Sequence, residues 1–233
     1  MADLIQKMQT QIEAWEATGD DRAIFLTCYT MMTRNMLRTI AANGFKDCAW
    51  VRLLTHRFAQ YYFDALASYE CAGMPPVWTF TFETACSKKA HVLQNLLLGV
   101  NAHICYDLIF AVADSINEPW AEIPEERRTR CYRDYCHVND VIGQTLDAVQ
   151  DQVVEKHDRN MNLVDVAFGR LDEWMIHALI KRWREQVWGQ SVAYMQAMPD
   201  AKSALKQSYT AQAEQRARSI QGERGIVGIV DLF

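Results

Sequence analysis

"LLLGVNAHICYDLIF", residues 96–110, places a histidine and an aspartate four positions apart inside an apolar run. Between Leu96 and Ala113 the strongly polar side chains are Asn101, His103 and Asp107, and apolar residues occupy every side of a helix drawn through them. A helix that is apolar all round belongs at the centre of its fold. At this spacing His103 and Asp107 project from one face, and Gly99, lacking a side chain, lets another element approach closely. A buried carboxylate left alone costs on the order of several kcal/mol, so Asp107 needs a partner: His103 itself, an arginine or a metal ion.

Outward from this stretch the chain reads as helices separated by Gly, Asn-Gly and Pro-Pro punctuation, with no alternating segment that demands a sheet. The expected fold class is all-α: one domain, a bundle of six to seven helices around a central buried helix. A first helix covers about 2–17 and stops near Gly19. Asp20 and Asp21 are placed to cap a second, which ends at "ANG" with Gly44 in the left-handed C-cap position. A third spans about 48–71 before "GMPPVW" breaks it. A fourth spans about 78–115, divisible by a bend near Ser87. Beyond the loop "NEPWAEIPEE" a fifth runs over about 125–156, and a sixth over about 163–198. After Pro199 comes a polar helix to about 220, then the tail "GERGIVGIVDLF". The domain organisation is therefore an N-terminal helix (1–20), a helical core (21–198), and a C-terminal helix with an apolar tail (199–233). The tail is too short for a membrane span, so it is expected to pack on the core or to join a second copy in a homo-oligomer.

Composition excludes some partners. The 233 residues are 50% hydrophobic and 23% charged, as in soluble globular proteins. The formal charge of -5 at pH 7 offers no electrostatic footprint for nucleic acid or an anionic membrane. The first residues lack a basic segment followed by an apolar one, so no secretory signal is read and a cytoplasmic location is expected. Seven cysteines without a CxxC pair suit buried, reduced thiols better than a disulfide frame. No P-loop, GxGxxG or GxSxG pattern is present.

Other polar residues join the search for a site. With Val138, Ile142, Thr145 and Val149 as the buried stripe of the fifth helix, Asp134 falls about 40° from its centre and faces inward, whereas Asp140 points away. His137 and Asn139 lie on the flanks, where they can support an inward carboxylate. Arg184 follows Ile176 and Ile180 on one stripe and is expected to turn its guanidinium toward a carboxylate. His56 and His91 read as partly buried structural histidines, His157 as exposed.

The block "LLLGVNAHICYDL", with "GFKD", "RFAQYYFDAL", "PPVW", "DYCHVNDVI" and "RWREQVW", resembles an uncharacterised family of bacterial all-helical proteins, a domain of unknown function. The resemblance covers residues 20–195 and puts the family's motif on Gly99, Asn101, His103, Asp107, Asp134 and Asn139. It implies where a site lies and carries no activity.

Two functions remain open from the sequence. In the first, His103, Asp107 and Asp134 hold a divalent metal, zinc or iron, and the protein is a metal-dependent hydrolase or oxygenase acting on a lipophilic small molecule. Asn101, His137, Asn139 and Arg184 would then support the ligands or the substrate. In the second, the same three residues are a structural polar network in a non-catalytic helical protein that binds a hydrophobic ligand or partner.

Overall fold

Apolar residues at helical spacing and a set of local stop signals divide the chain into rods. The computed structural model describes residues 2–69, 73–149 and 165–222, which form α1 (Ala2–Thr18), α2 (Arg22–Ala41), α3 (Cys48–Ala67), α4 (Pro76–Ser87), α5 (Val92–Ala102), α6 (Leu108–Asp114), α7 (Glu125–Val149), α8 (Asp165–Gln196) and α9 (Pro199–Gln221). A π-helical turn, His103–Asp107, joins α5 to α6 without a break, and a short 3₁₀ turn, Trp120–Glu122, precedes α7. The fold is all-α, as expected, and no strand occurs among the described residues. The rods there outnumber the six to seven expected, because the predicted fourth helix is in fact two. Its division falls at the bend near Ser87, where Lys88 takes a left-handed conformation (φ 55°).

Local chemistry explains the boundaries. Gly19, at φ 65°, ends α1, and Asp20 Oδ1 accepts from the Arg22 N–H at 3.0 Å at the start of α2. The left-handed residue after α2 is Asn43 (φ 55°), not Gly44 as expected. Asparagine tolerates that conformation, and Gly44 serves a different need: a Cβ there would stand 2.6 Å from Thr39 Cγ2. Asp47 caps α3 by accepting from the Trp50 N–H at 2.9 Å, and Pro76 opens α4 at a position where its missing N–H is harmless.

The rod Val92–Asp114 is long and apolar enough to cross a membrane, yet it is the core helix of this fold and most of it is buried by protein. Its first half packs against α2, α4 and α9, its second half against α3 and α8, and α7 closes the outside against α2 and α8. Gly99 makes the tightest approach: a Cβ there would lie 2.4 Å from the Phe25 ring of α2. The predicted tail at 225–233, with the oligomer contact assigned to it, lies outside the described residues, as do His157 and the predicted end of the fifth helix at 156.

Candidate functional site

Where an α-helix turns once into π geometry, one additional residue is taken up and the faces beyond it rotate by about 100°. Here that turn is His103–Asp107, with the Leu108 N–H reaching back five residues to the His103 carbonyl. The rotation lets one continuous rod serve two sets of neighbours, and it sets His103 and Asp107 at the changeover. Both side chains are buried, at 2% and 1% exposure.

The two residues pair as their spacing predicts: His103 Nδ1 lies 3.0 Å from Asp107 Oδ2. The same oxygen accepts from the Trp78 indole N–H at 2.9 Å, a third member 29 residues away in sequence. Aromatic rings enclose the imidazole. Phe58 stacks on it with centroids 3.5 Å apart and planes 7° from parallel, Tyr29 meets it edge-on at 4.4 Å, and Phe25, Tyr62 and Trp78 complete the box. His103 Nε2 is buried and has no hydrogen-bond partner among the described residues, nor has the Tyr29 hydroxyl.

Burial pushes His103 well below its usual range. Burial likewise pushes Asp107 well above its own, with the Trp78 N–H pulling back and Asp64 adding to the rise. Both directions favour a neutral pair. In that pair the Asp107 carboxyl donates to Nδ1, and the single imidazole proton sits on Nε2 as a donor.

His103 and Tyr29 form part of the wall of a cavity of about 130 Å³ between α2, α3, α5, α7 and α8. The rest of the wall is almost wholly apolar, including Met32, Met36, Leu97 and Ile142. Thr33 and Thr55 also line it, but their hydroxyls donate to the Tyr29 and Val51 carbonyls at 2.8 Å. Arg184 reaches the cavity from α8 and is 3% exposed. Its Nε donates to Asn139 Oδ1 at 2.7 Å, one Nη donates to the Tyr135 carbonyl at 2.8 Å, and the guanidinium lies 4.2 Å from the centre of the Tyr135 ring. Burial pulls its pKa below the usual value.

Asp134 faces inward, as its stripe position predicts, but it does not join His103 and Asp107. Its Oδ1 accepts from the Lys46 N–H at 2.8 Å and its Oδ2 from the Asp47 N–H at 2.7 Å, so it clamps the chain entering α3. Among the described residues no three His, Cys, Asp or Glu side chains stand together as a group that holds a metal ion. Arg184 turns inward as expected, but toward neutral oxygens rather than a carboxylate. Asn139 is the acceptor that orients it. Asn101 donates to the Ala213 carbonyl at 2.9 Å and ties the central rod to α9. His137 sits at the surface with Nδ1 2.9 Å from Asp140 Oδ2, and His56 and His91 are exposed rather than partly buried.

Sequence reasoning missed Trp78, Tyr29 and Phe58, the three residues that give His103 its surroundings. The only local signal was their aromatic character, which in a chain with this many aromatic residues reads as ordinary core.

A family model matches residues 1–222, from α1 through α9. The chain belongs to the family of unknown function DUF5995. The match reaches beyond the 20–195 over which the resemblance was read, so the first and last described helices belong to the family domain. No curated protein and no solved structure matches the chain. For a DUF5995 chain the chemistry of the site must therefore be argued from the side chains themselves.

Proposed function

We propose that the protein binds a lipophilic small molecule inside the helical bundle. The observation that carries this reading is the apolar cavity of about 130 Å³ in the middle of the bundle, with His103 and Arg184 among its lining residues. An enclosed apolar void of about 150 Å³ takes up benzene, so a void of this size accommodates a ring or a short branched chain. Apolar walls with a few converging polar atoms are the usual make-up of small-molecule sites. The hydrogen bond between His103 and Asp107 holds the imidazole in place, and the ring box keeps water from it.

The metal-dependent enzyme expected from the sequence needs donors converging on one point. In the neutral pair His103 Nε2 carries the imidazole proton, Asp134 is engaged with the amides before α3, and Asp107 Oδ2 is engaged with His103 and Trp78. Binding is accordingly the better supported of the two readings.

The test is titration with 4-(dimethylamino)benzonitrile, a one-ring neutral dye whose emission changes in apolar surroundings. Saturable binding near one dye per chain is expected. Met36→Trp, which introduces a bulky ring from the half-buried rim of the cavity, is expected to weaken that binding while leaving the far-ultraviolet circular dichroism unchanged. Unsaturable dye fluorescence, or equal binding by the folded variant, would count against a cavity ligand.

A further inference from the structure

Among the described residues no carboxylate pairs with the guanidinium of Arg184. It is 3% exposed, and among the described residues its hydrogen-bond acceptors are the Asn139 side-chain oxygen and the Tyr135 carbonyl, both neutral. Of the five N–H donors on a guanidinium, these two bonds engage one on Nε and one on an Nη. The remaining three make no hydrogen bond with the described residues. A cation buried among neutral acceptors is poorly compensated, and an anion brought beside it gains strongly because little water competes.

His103 and Tyr29 stand on the same wall, with Nε2 and the hydroxyl withdrawn among the rings that box the imidazole. The remaining cavity residues are apolar or have their hydroxyls engaged, so a ligand that answers Arg184 must bring its own acceptors and otherwise be hydrocarbon.

We propose that the ligand is a small lipophilic carboxylate, its head group paired with Arg184 and its hydrocarbon body lying against Met32, Met36, Leu97 and Ile142. This rests on the reading of the cavity as a binding site. A carboxylate fits because the planar guanidinium offers parallel N–H groups that match its two oxygens, and Asn139 and Tyr135 hold that plane in a set orientation before any ligand arrives. The cavity volume of about 130 Å³ is close to that of a void that takes one benzene ring, which corresponds to a body of about six to seven carbons.

Calorimetric titration of the full chain with octanoate and with 1-octanol, which shares the chain and lacks the charge, tests the inference. Octanoate is expected to bind at least about tenfold more tightly than octanol. Arg184→Met is expected to remove that preference while keeping octanol binding, and Arg184→Lys to restore part of it. Equal affinity of the wild-type protein for both compounds overturns the carboxylate assignment and leaves the lipophile reading standing. Binding of neither compound, together with no saturable dye binding, overturns both. Should Arg184→Met fail to fold, the wild-type complex with octanoate labelled with ¹³C at the carboxyl decides the matter. Pairing with Arg184 lowers the carboxyl pKa of the bound ligand below that of the free acid, and an unchanged or raised value refutes the pairing.

Discussion

Changing His103 and Asp107 to leucine, singly and together, separates a paired network from two independent core residues. His103→Leu leaves the Asp107 carboxyl with the Trp78 N–H alone; one buried neutral polar group loses its partner, at about 1–3 kcal/mol. Asp107→Leu is worse, because it strands both the His103 ring nitrogen and the Trp78 N–H, for about 2–6 kcal/mol. In the double variant the Trp78 N–H is the one stranded member, so the cost returns to about 1–3 kcal/mol. The second substitution therefore rescues the first: the double variant is expected to be more stable than Asp107→Leu. Urea denaturation followed by circular dichroism, with m values compared, measures all three. Costs that simply add would refute the network.

The pH dependence of the same variants supplies the sign. Asp107 has a folded-state pKa raised from 3.8, so the folded protein holds the extra proton, and its stability contribution is lost as pH rises above that value toward the folded pKa. His103 has a folded-state pKa lowered from 6.5, so the unfolded chain takes up the proton, and stability is lost as pH falls below that value. Where the two windows overlap, inside the range from 3.8 to 6.5, the two slopes oppose each other, each at most about 1.4 kcal/mol per pH unit. The wild-type pair is expected to contribute little net slope there. His103→Leu then exposes a fall with rising pH, and Asp107→Leu a fall with decreasing pH. Parallel slopes in the two variants would refute the assignment of the shifts to burial.

Four further outcomes follow from the geometry. Gly99→Ala forces a Cβ to within 2.4 Å of the Phe25 ring between two buried helices, so a loss of about 1–3 kcal/mol is expected; an unchanged melting temperature would mean that α2 shifts freely. Asp134→Asn replaces one charged acceptor with an amide group that repels an N–H. Faster hydrogen exchange at Lys46 and Asp47, with a loss of about 1–3 kcal/mol, is expected, whereas unchanged protection there would deny the clamp. Thiol reagents should modify exposed Cys86 quickly and leave Cys28 and Cys105 untouched until denaturation, since burial pushes both thiols up to about 12; rapid labelling of either would contradict their placement. Elemental analysis of the purified protein is expected to find zinc and iron well below one equivalent per chain, and a full equivalent that disappears in His103→Ala would bring back the metal enzyme.

The part of the site legible in the sequence is the part written within one helix. A run apolar on every side identifies the central rod. The i, i+4 relation of His103 and Asp107 needs only helix geometry, and Gly99 marks a close approach because no other residue has so little bulk. The inward set of Asp134 and Arg184 follows from their stripes. The π turn could not be read, because it announces itself by a slip in the apolar period and a helix apolar all round has no period to slip. For the same reason the predicted fourth helix gave no sign of which half faces which neighbours.

What the sequence by itself determined is thus the helical class, the buried rod and the direction in which each polar side chain leaves its own helix, since these depend on spacings of a few residues. What only the tertiary structure decided is what each of those side chains meets. Asp134 points inward and finds amides 87 and 88 residues away instead of His103. Arg184 points inward and finds Asn139 and Tyr135 instead of a carboxylate. His103 finds a box of rings and the edge of a cavity. The spacing along a helix sets a direction, but the partner at the end of that direction depends on how separate helices pack, and that is a property of side-chain volumes summed over the whole core.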